Sequence, residues 1–327
     1  MQGKIALEEH FAIPETLEDS NGFLPADTWA ELSARLLDIH GRRIKEMDKH
    51  GIEMMILSLN APAVQAIHDV KRANEIARRA NDFLAEQVAK NPRRFQAFAA
   101  LPLQDADLAT RELERCVKDL GFRGALANGF SQAGTPETCL YYDLKQYWPF
   151  WETLQKLDVP FYLHPRNPIA SWAQIYKGHE WLLGPTWAFG QETAVHALRL
   201  MGSGLFDAYP RLKIVVGHMG EGLPFSMWRI DNRNAWAGFK PKYPAKRPIA
   251  DYFHQNFWLT TSGNFRTQTL IDAMLEVSAD RILFSADWPF ENVDLAANWF
   301  EACSISENDR QKIGRTNSVR LFKLGNE

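Results

Sequence analysis

The sequence has few cysteines and no cysteine motif for metal binding or redox chemistry. Its three cysteines, Cys116, Cys139 and Cys303, are far apart, and no Cys-x-x-Cys pair occurs among the 327 residues. This excludes a disulfide-rich scaffold, a zinc ribbon and a dithiol redox centre. Because unpaired cysteines are typical of a reducing compartment, we expect a cytoplasmic protein.

Long apolar runs and an excess of charge of one sign are also missing. No uninterrupted apolar run reaches the length of about 18 residues that a membrane-spanning helix needs. The start, MQGKIALEEH, does not resemble a signal peptide. The net charge of −3 and the pI near 6.3 give no electrostatic reason to expect nucleic acid or an anionic membrane as a partner. We therefore expect the partner to be a small molecule or another copy of the chain.

What the sequence does contain is an alternation of short apolar runs with helical patterns. Stretches such as DVKRANEIARRANDFLAEQVAKN, with an acidic start and an Asn-Pro end, predict the helices. Eight runs consistent with strands buried on both faces predict a closed α/β barrel, the (β/α)8 or TIM barrel, in a single domain over 1–327 with loop insertions. The runs cover residues 4–10, 54–60, 95–103, 122–130, 160–165, 213–220, 257–263 and 281–290.

Two segments fit neither pattern. Residues 238–248, GFKPKYPAKRP, are basic and rich in proline, which is typical of an extended surface loop rather than a binding site for anions. Residues 165–186 are irregular, and they are a candidate lid or subunit contact.

Ionisable and polar side chains fall at the predicted carboxyl ends of five strands. These ends open onto one rim of a barrel, so side chains that are distant in sequence converge there. Within the first strand, Glu8 and His10 are two residues apart and therefore share a face. The residues at the rim are Glu8, His10, Asn128, His164, His218 and Asp287.

Four of these residues form a mixed nitrogen and oxygen donor set. Such a set suits one divalent ion per chain, Zn²⁺ or Mn²⁺. A histidine taken alone more often caps an element or forms a hydrogen bond, and we interpret the histidines away from the rim in this way. The predicted ligands are Glu8, His10, His164 and Asp287.

Other residues near the rim have both a functional and a structural interpretation. His218 and Glu221, in VVGHMGEGLP, are either an acid/base or orienting pair, or a strand-to-helix turn with a capping glutamate. Arg229 either pairs with a substrate carboxylate or phenolate, or forms an ion pair with Asp231. Two phenylalanines either enclose an aromatic ring or belong to the core. They are Phe23 and Phe290.

Seven motifs along the whole chain resemble the decarboxylase branch of the amidohydrolase superfamily. The first strand ends in Glu-x-His where hydrolases of that superfamily have His-x-His, and Asn128 stands where they carry a modified lysine. A binuclear hydrolase is therefore less expected. The motifs are ALEEHFAIPET, LSLNAPAVQAI, FAALPLQD, YLHPRNP, GPTWAFGQETAVHALRLMGSGLFD, GHMGEGLPF and ILFSADWPFEN.

The resemblance implies a lyase that removes carbon dioxide from an ortho-hydroxybenzoate, reversibly and without an organic cofactor. It implies 2,6-dihydroxybenzoate as the substrate, Asp287 as the proton donor, and His218 and Glu221 as proton-handling residues. Relatives suggest a homotetramer. Two alternatives stay open: a mononuclear metal-dependent hydrolase of a lactone or amide, and a barrel that binds metal and an aromatic ligand without catalysis.

Overall fold

Eight parallel strands form one sheet that curls into a nearly closed barrel. The computed structural model describes residues 1–22, 25–236 and 243–325. Each strand pairs with the next one along the chain, which confirms the predicted (β/α)8 barrel. The strands are β1 (Lys4–Phe11), β2 (Ile52–Leu59), β3 (Phe95–Ala100), β4 (Gly124–Asn128), β5 (Phe161–His164), β6 (Ile214–Val216), β7 (Phe257–Thr260) and β8 (Ile282–Leu283).

Helices connect successive strands. The longest begins where the sequence predicts it, because the side chain of Asp69 accepts the N–H of Arg72 at 2.7 Å and caps the helix. The helices are α1 (Ala26–Leu37), α2 (Arg42–Lys49), α3 (Val70–Lys90), α4 (Ala106–Lys118), α5 (Trp148–Leu157), α6 (Ala188–Gly202), α7 (Leu205–Ala208), α8 (Leu223–Ala235), α9 (Ile249–Asn256), α10 (Thr267–Val277), α11 (Val293–Ala302), α12 (Glu307–Gln311) and α13 (Asn317–Phe322).

A layer of buried side chains fills the inside of the barrel and forms a floor below the rim. Seven of the strands contribute one side chain each, and Leu321 and Phe322 of α13 join the same cluster. Because these side chains pack together, the inside of the barrel is a core and not a channel. Burying each large apolar side chain contributes about 1.5–3 kcal/mol. The strand residues are Leu7, Ile56, Phe98, Leu126, Tyr162, Val215 and Leu283.

The predicted carboxyl ends of β6 and β8 were wrong. The sequence pattern extended these strands to residues 220 and 290, but they end at Val216 and Leu283. The rim residues that follow have a left-handed backbone, with φ 51° at His218 and φ 70° at Asp287. The side chains of His218 and Asp287 therefore project from loops.

The segment between β5 and α6 contains three short 3₁₀ turns and exposes large apolar side chains. Ile175 is 79% exposed and Trp181 is 67% exposed. The interpretation of this segment as a lid or subunit contact stays a prediction. The other irregular segment, 238–248, lies partly outside the described residues. Across the described ranges, no helix combines the length and hydrophobicity required to cross a membrane.

Candidate metal centre

Four side chains meet at the carboxyl-terminal rim of the barrel. Oε1 of Glu8 lies 3.4 Å from Nε2 of His164, and Nε2 of His10 lies 3.4 Å from Oδ1 of Asp287. Glu8, His10 and His164 each offer one donor atom, and these atoms all lie within 4.8 Å of one another. Two donors about 2.1 Å from a common ion in tetrahedral geometry are about 3.4 Å apart. The spacing therefore fits ligands of one cation.

The atoms that face this point have no hydrogen-bond partner. They are Oε1 of Glu8, Nε2 of His10 and Oδ1 of Asp287, and all three are buried. The opposite ring nitrogen of His10, Nδ1, lies 3.1 Å from the hydroxyl of Ser58, which fixes the ring. Buried polar atoms without partners are costly, and three that converge on one point fit a divalent ion.

Hydroxyl groups hold the other oxygen of Glu8. The side-chain hydroxyls of Tyr162 and Ser262 both donate to Oε2 of Glu8, and the hydroxyl of Thr260 lies 3.2 Å from the same atom. Burial and the charge of Glu8 raise the pKa of Tyr162 well above its ordinary value, so this hydroxyl stays a donor. We call Tyr162, Thr260 and Ser262 the hydroxyl cradle. It turns Oε1 of Glu8 towards His164.

The bulge in β1 presents Glu8 to the site. The pairing with β2 shifts register between Leu7 and Glu9, and Glu8 between them has φ 67°. The simple alternation expected for Glu8 and His10 is therefore modified, although both side chains still reach the same centre. A left-handed non-glycine residue costs roughly 1–3 kcal/mol, and such residues cluster at functional sites. His218, Glu221 and Asp287 also have φ values of 51–70°.

His218 lies beside this centre and is paired with Glu221. Its Nδ1 is 2.7 Å from Oε1 of Glu221, and its Nε2 is 3.6 Å from Oε1 of Glu8 and 3.9 Å from Oδ2 of Asp287. Burial alone would lower the pKa of His218, but the charges of Glu221 and Glu8 hold it well above its ordinary value. The ring therefore favours its protonated form.

The surroundings of His164 and Asp287 keep both side chains in forms that bind metal. Burial lowers the pKa of His164 well below its ordinary value, and the neighbouring His10 adds to this effect. The ring stays neutral, as a ligand must be. Burial would raise the pKa of Asp287, but the neighbouring His10 and His218 and their charges outweigh this effect, so the net pKa is lowered.

The residues predicted to contact substrate lie in different environments. Phe290 is 39% exposed, and its ring packs edge-on against His10 with centroids 5.5 Å apart. Asn128 is buried, and its Nδ2 donates to the backbone oxygen of Asn60 at 3.0 Å, while its Oδ1 has no partner. Phe23 lies outside the described residues. Substrate binding by these residues stays a prediction.

Arg229 lies on the exposed side of α8 and does not form the ion pair with Asp231 that was the structural alternative. Asp231 accepts the backbone N–H groups of Ile249 and Ala250 at 2.8 and 2.9 Å. Among the described residues, no ion pair joins Arg229 to Asp231. Arg229 is exposed, and its contact with a substrate stays a prediction.

Sequence reasoning missed the residues that support the ligands. The hydroxyl cradle and Glu9 are fully buried; the cradle contacts Glu8, and Glu9 bonds to the backbone on both sides of Asp287. Burial raises the pKa of Glu9 to about 7, although two backbone hydrogen bonds oppose this. Two signals were available: the second acid of the Glu-Glu pair in a buried strand, and the run of three hydroxyl residues in FWLTTSG.

Solved structures and curated relatives match the chain over its whole length. Gamma-resorcylate decarboxylase from Polaromonas sp. (strain JS666 / ATCC BAA-500) is 75% identical over 324 residues, 99% of each chain. The crystal structure of a dihydroxybenzoic acid decarboxylase from Polaromonas sp. JS666, with bound manganese and the inhibitor 2-nitroresorcinol, has a TM-score of 0.98 at 74% identity, covering 100% of this chain and 98% of that one. A 2,6-dihydroxybenzoate decarboxylase complexed with 2,6-dihydroxybenzoate has a TM-score of 0.97 at 72% identity, covering 99% and 100%.

A (β/α)8 barrel with a nitrogen and oxygen donor set at its carboxyl-terminal rim defines a metal-centred barrel enzyme. The family model described as amidohydrolase matches residues 26–324. The chain belongs to the amidohydrolase family, in the group of its gamma-resorcylate decarboxylase relatives.

Proposed function

We propose that the protein is a carboxy-lyase that converts 2,6-dihydroxybenzoate to resorcinol and carbon dioxide, reversibly and without oxidation. The observation that carries the proposal is the convergence of Glu8, His10, His164 and Asp287 at the rim. A related structure with the same fold and 72% identity is complexed with this dihydroxybenzoate.

We assign the four converging residues as the ligands of one divalent ion per chain. Manganese is the ion to test first, because it is bound in the related Polaromonas structure. The ion supplies positive charge for a carboxylate oxygen and the adjacent phenolate oxygen of the substrate. His10 and His164 contribute neutral nitrogen donors, and Glu8 and Asp287 contribute charge that balances the cation.

The chemical step is proton transfer to the ring carbon that carries the carboxylate. We assign Asp287, transiently protonated beside the metal, as the donor: this proton forms the new C–H bond, the ring loses its aromaticity, and Asp287 returns to the carboxylate. The bond to the carboxylate then breaks, its electron pair restores the aromatic ring, and carbon dioxide leaves. We assign His218, whose Nε2 lies 3.9 Å from Oδ2 of Asp287, as the source of the next proton, and Glu221 as the residue that orients its ring.

The remaining assignments concern substrate contacts and assembly. We assign Phe290, whose ring packs against His10, as a substrate contact, together with Phe23 and Asn128. We propose a homotetramer in which Arg229 serves the site of a neighbouring subunit. Two exposed aromatic side chains on the same helix, Phe225 at 86% and Trp228 at 74%, support this subunit contact. The three free cysteines support a cytoplasmic location.

The test is turnover by manganese-loaded protein with two hydroxybenzoates. 2,6-Dihydroxybenzoate should release carbon dioxide, whereas 4-hydroxybenzoate should not react because its hydroxyl cannot reach the ion that holds the carboxylate. In heavy water, the resorcinol should carry one deuterium at the vacated carbon. Equal turnover of both acids contradicts substrate chelation, and hydrolysis of lactones or amides without carbon dioxide release favours a hydrolase instead.

A further inference from the structure

Glu9 lies between two assigned ligands, but its side chain reaches the opposite side of β1. It is fully buried, and both of its carboxylate oxygens contact the segment after β8. Oε1 accepts the hydroxyl of Ser285 at 3.1 Å and the N–H of Ala286 at 2.9 Å, while Oε2 accepts the N–H of Trp288 at 3.0 Å. One carboxylate therefore binds three donors that lie 276–279 residues away in sequence.

The two backbone donors flank Asp287. Ala286 precedes Asp287 and Trp288 follows it, so the Glu9 carboxylate holds the backbone on both sides of Asp287. The side chain of Asp287 faces His10. Asp287 has φ 70°, a conformation that a residue with a side chain adopts only when its surroundings fix it. Hydrogen bonds to the amides on both sides provide that restraint.

Further contacts attach the same segment to the backbone of β1. The N–H of His10 donates to the carbonyl oxygen of Trp288 at 2.6 Å. The buried guanidinium of Arg43 donates to the carbonyl oxygen of His10 at 2.5 Å and lies over the Trp288 ring, 5.9 Å from its centroid. Its positive charge also acts on the carboxylate of Glu9. Glu9 is thus part of a buried network that spans the gap between β1 and the segment after β8.

We propose that Glu9 is a positioning residue of the metal centre, which holds the Asp287 carboxylate at the ion without binding the ion itself. The inference rests on the proposed metal centre and extends it to a residue on the other side of the strand. A carboxylate is suited to this role because both of its oxygens accept hydrogen bonds and neither donates. Glutamine has the same shape, but its NH₂ group would face a backbone N–H.

The experiment measures the dissociation constant of Mn²⁺ by competition with a chelator. The variants are Glu9→Gln, Ser285→Ala and, as a matched control, Glu112→Gln. Glu112 is also a buried carboxylate with several donors, but it lies on α4 and bonds to Asn81, Arg78 and Arg115. We expect the Mn²⁺ affinity to fall about 10- to 100-fold in Glu9→Gln, the usual effect of losing a residue that orients a ligand. It should fall less in Ser285→Ala and stay unchanged in Glu112→Gln.

The outcomes separate this inference from the proposed function. If the wild-type chain binds no Mn²⁺, the proposed metal centre is wrong. If the wild type binds Mn²⁺ and folded Glu9→Gln binds it equally well, the inference is overturned. Glu9 is then only structural, and the melting temperature of Glu9→Gln should fall as that of Glu112→Gln does. Should Glu9→Gln fail to fold, Ser285→Ala decides, because unchanged Mn²⁺ affinity in that variant overturns the inference.

Discussion

Nδ1 of His218 lies 2.7 Å from a carboxylate oxygen of Glu221, three residues further along the same loop. The other ring nitrogen, Nε2, faces Glu8 and Asp287. The pair therefore connects the metal centre to a carboxylate that is not one of its ligands. An imidazole held in this way has one orientation and one favoured site for its proton.

Glu221→Gln should lower kcat while the bound metal is retained. The amide keeps the shape of the side chain but removes the charge that orients the His218 ring and raises its pKa. We therefore expect kcat to fall about 100-fold, which is within the range for a positioned acid/base group. Manganese content and kcat are measured on the same preparation. Full kcat with a full complement of manganese would show that the pair is only a loop cap.

Removing the metal or a ligand should abolish activity and leave the barrel folded. Excess chelator should stop turnover, and added Mn²⁺ should restore it. His10→Ala should bind far less manganese, because a buried ligand is lost, and its circular dichroism should match the wild type. The control is His254→Ala, a change at an exposed histidine that contacts Glu276 on the outside of the barrel. Activity in metal-free protein would contradict the assignment.

Tyr162→Phe should weaken manganese binding. The change deletes one of the hydroxyls that hold Oε2 of Glu8, so Oε1 loses part of its orientation. We expect the dissociation constant to rise about 10- to 100-fold. Tyr142→Phe is the matched control, because Tyr142 is equally buried and its hydroxyl pairs with Ser131 at 2.9 Å. Equal manganese affinity in both variants would mean that the hydroxyl cradle is not needed.

Gly263→Ala should reduce kcat by displacing His218. A Cβ at this position would lie 2.9 Å from Cδ2 of His218, closer than real contacts allow. Gly134→Ala is the control for backbone strain, since Gly134 also has a positive φ, 76°, but an added Cβ there meets nothing within 4 Å. The positive φ should cost each variant about 1–2 kcal/mol of stability. If kcat falls equally in both, the contact with His218 is not the cause.

His196→Gln should reduce the sensitivity of stability to acid. Burial lowers the pKa of His196 from 6.5 to about 3, and its Nε2 accepts the N–H of Tyr142 at 3.1 Å. Between these pH values only the unfolded chain binds the proton, so stability falls as the pH drops below 6.5. The cost at pH 5 is about 2 kcal/mol. Glutamine can accept the same hydrogen bond without this cost.

The measurement for His196→Gln is the melting temperature of both proteins at pH 7 and pH 5. From pH 7 to pH 5, the melting temperature of the wild type should fall further than that of the variant. Parallel losses would mean that His196 does not contribute to the acid sensitivity.

The hydrogen bonds that hold the metal ligands in place could not be predicted from the sequence, because they join residues that share no local pattern. Glu9 reaches Trp288, and Glu8 reaches Tyr162 and Ser262, across more than 150 positions. The ends of the strands were missed for a related reason. The apolar pattern continues past Val216 and Leu283, whereas the paired strands end there, and His218 and Asp287 lie in the loops beyond with a left-handed backbone.

The sequence by itself determined the barrel and the meeting of Glu8, His10, His164 and Asp287. Alternating apolar runs specify eight parallel strands, and their carboxyl ends must share a rim. Only the tertiary structure decided which atoms of those side chains stay unpaired and what holds them in place. Orientation depends on hydrogen bonds between strands that are distant in the chain, and burial alone makes an unpaired oxygen or nitrogen costly enough to select a cation.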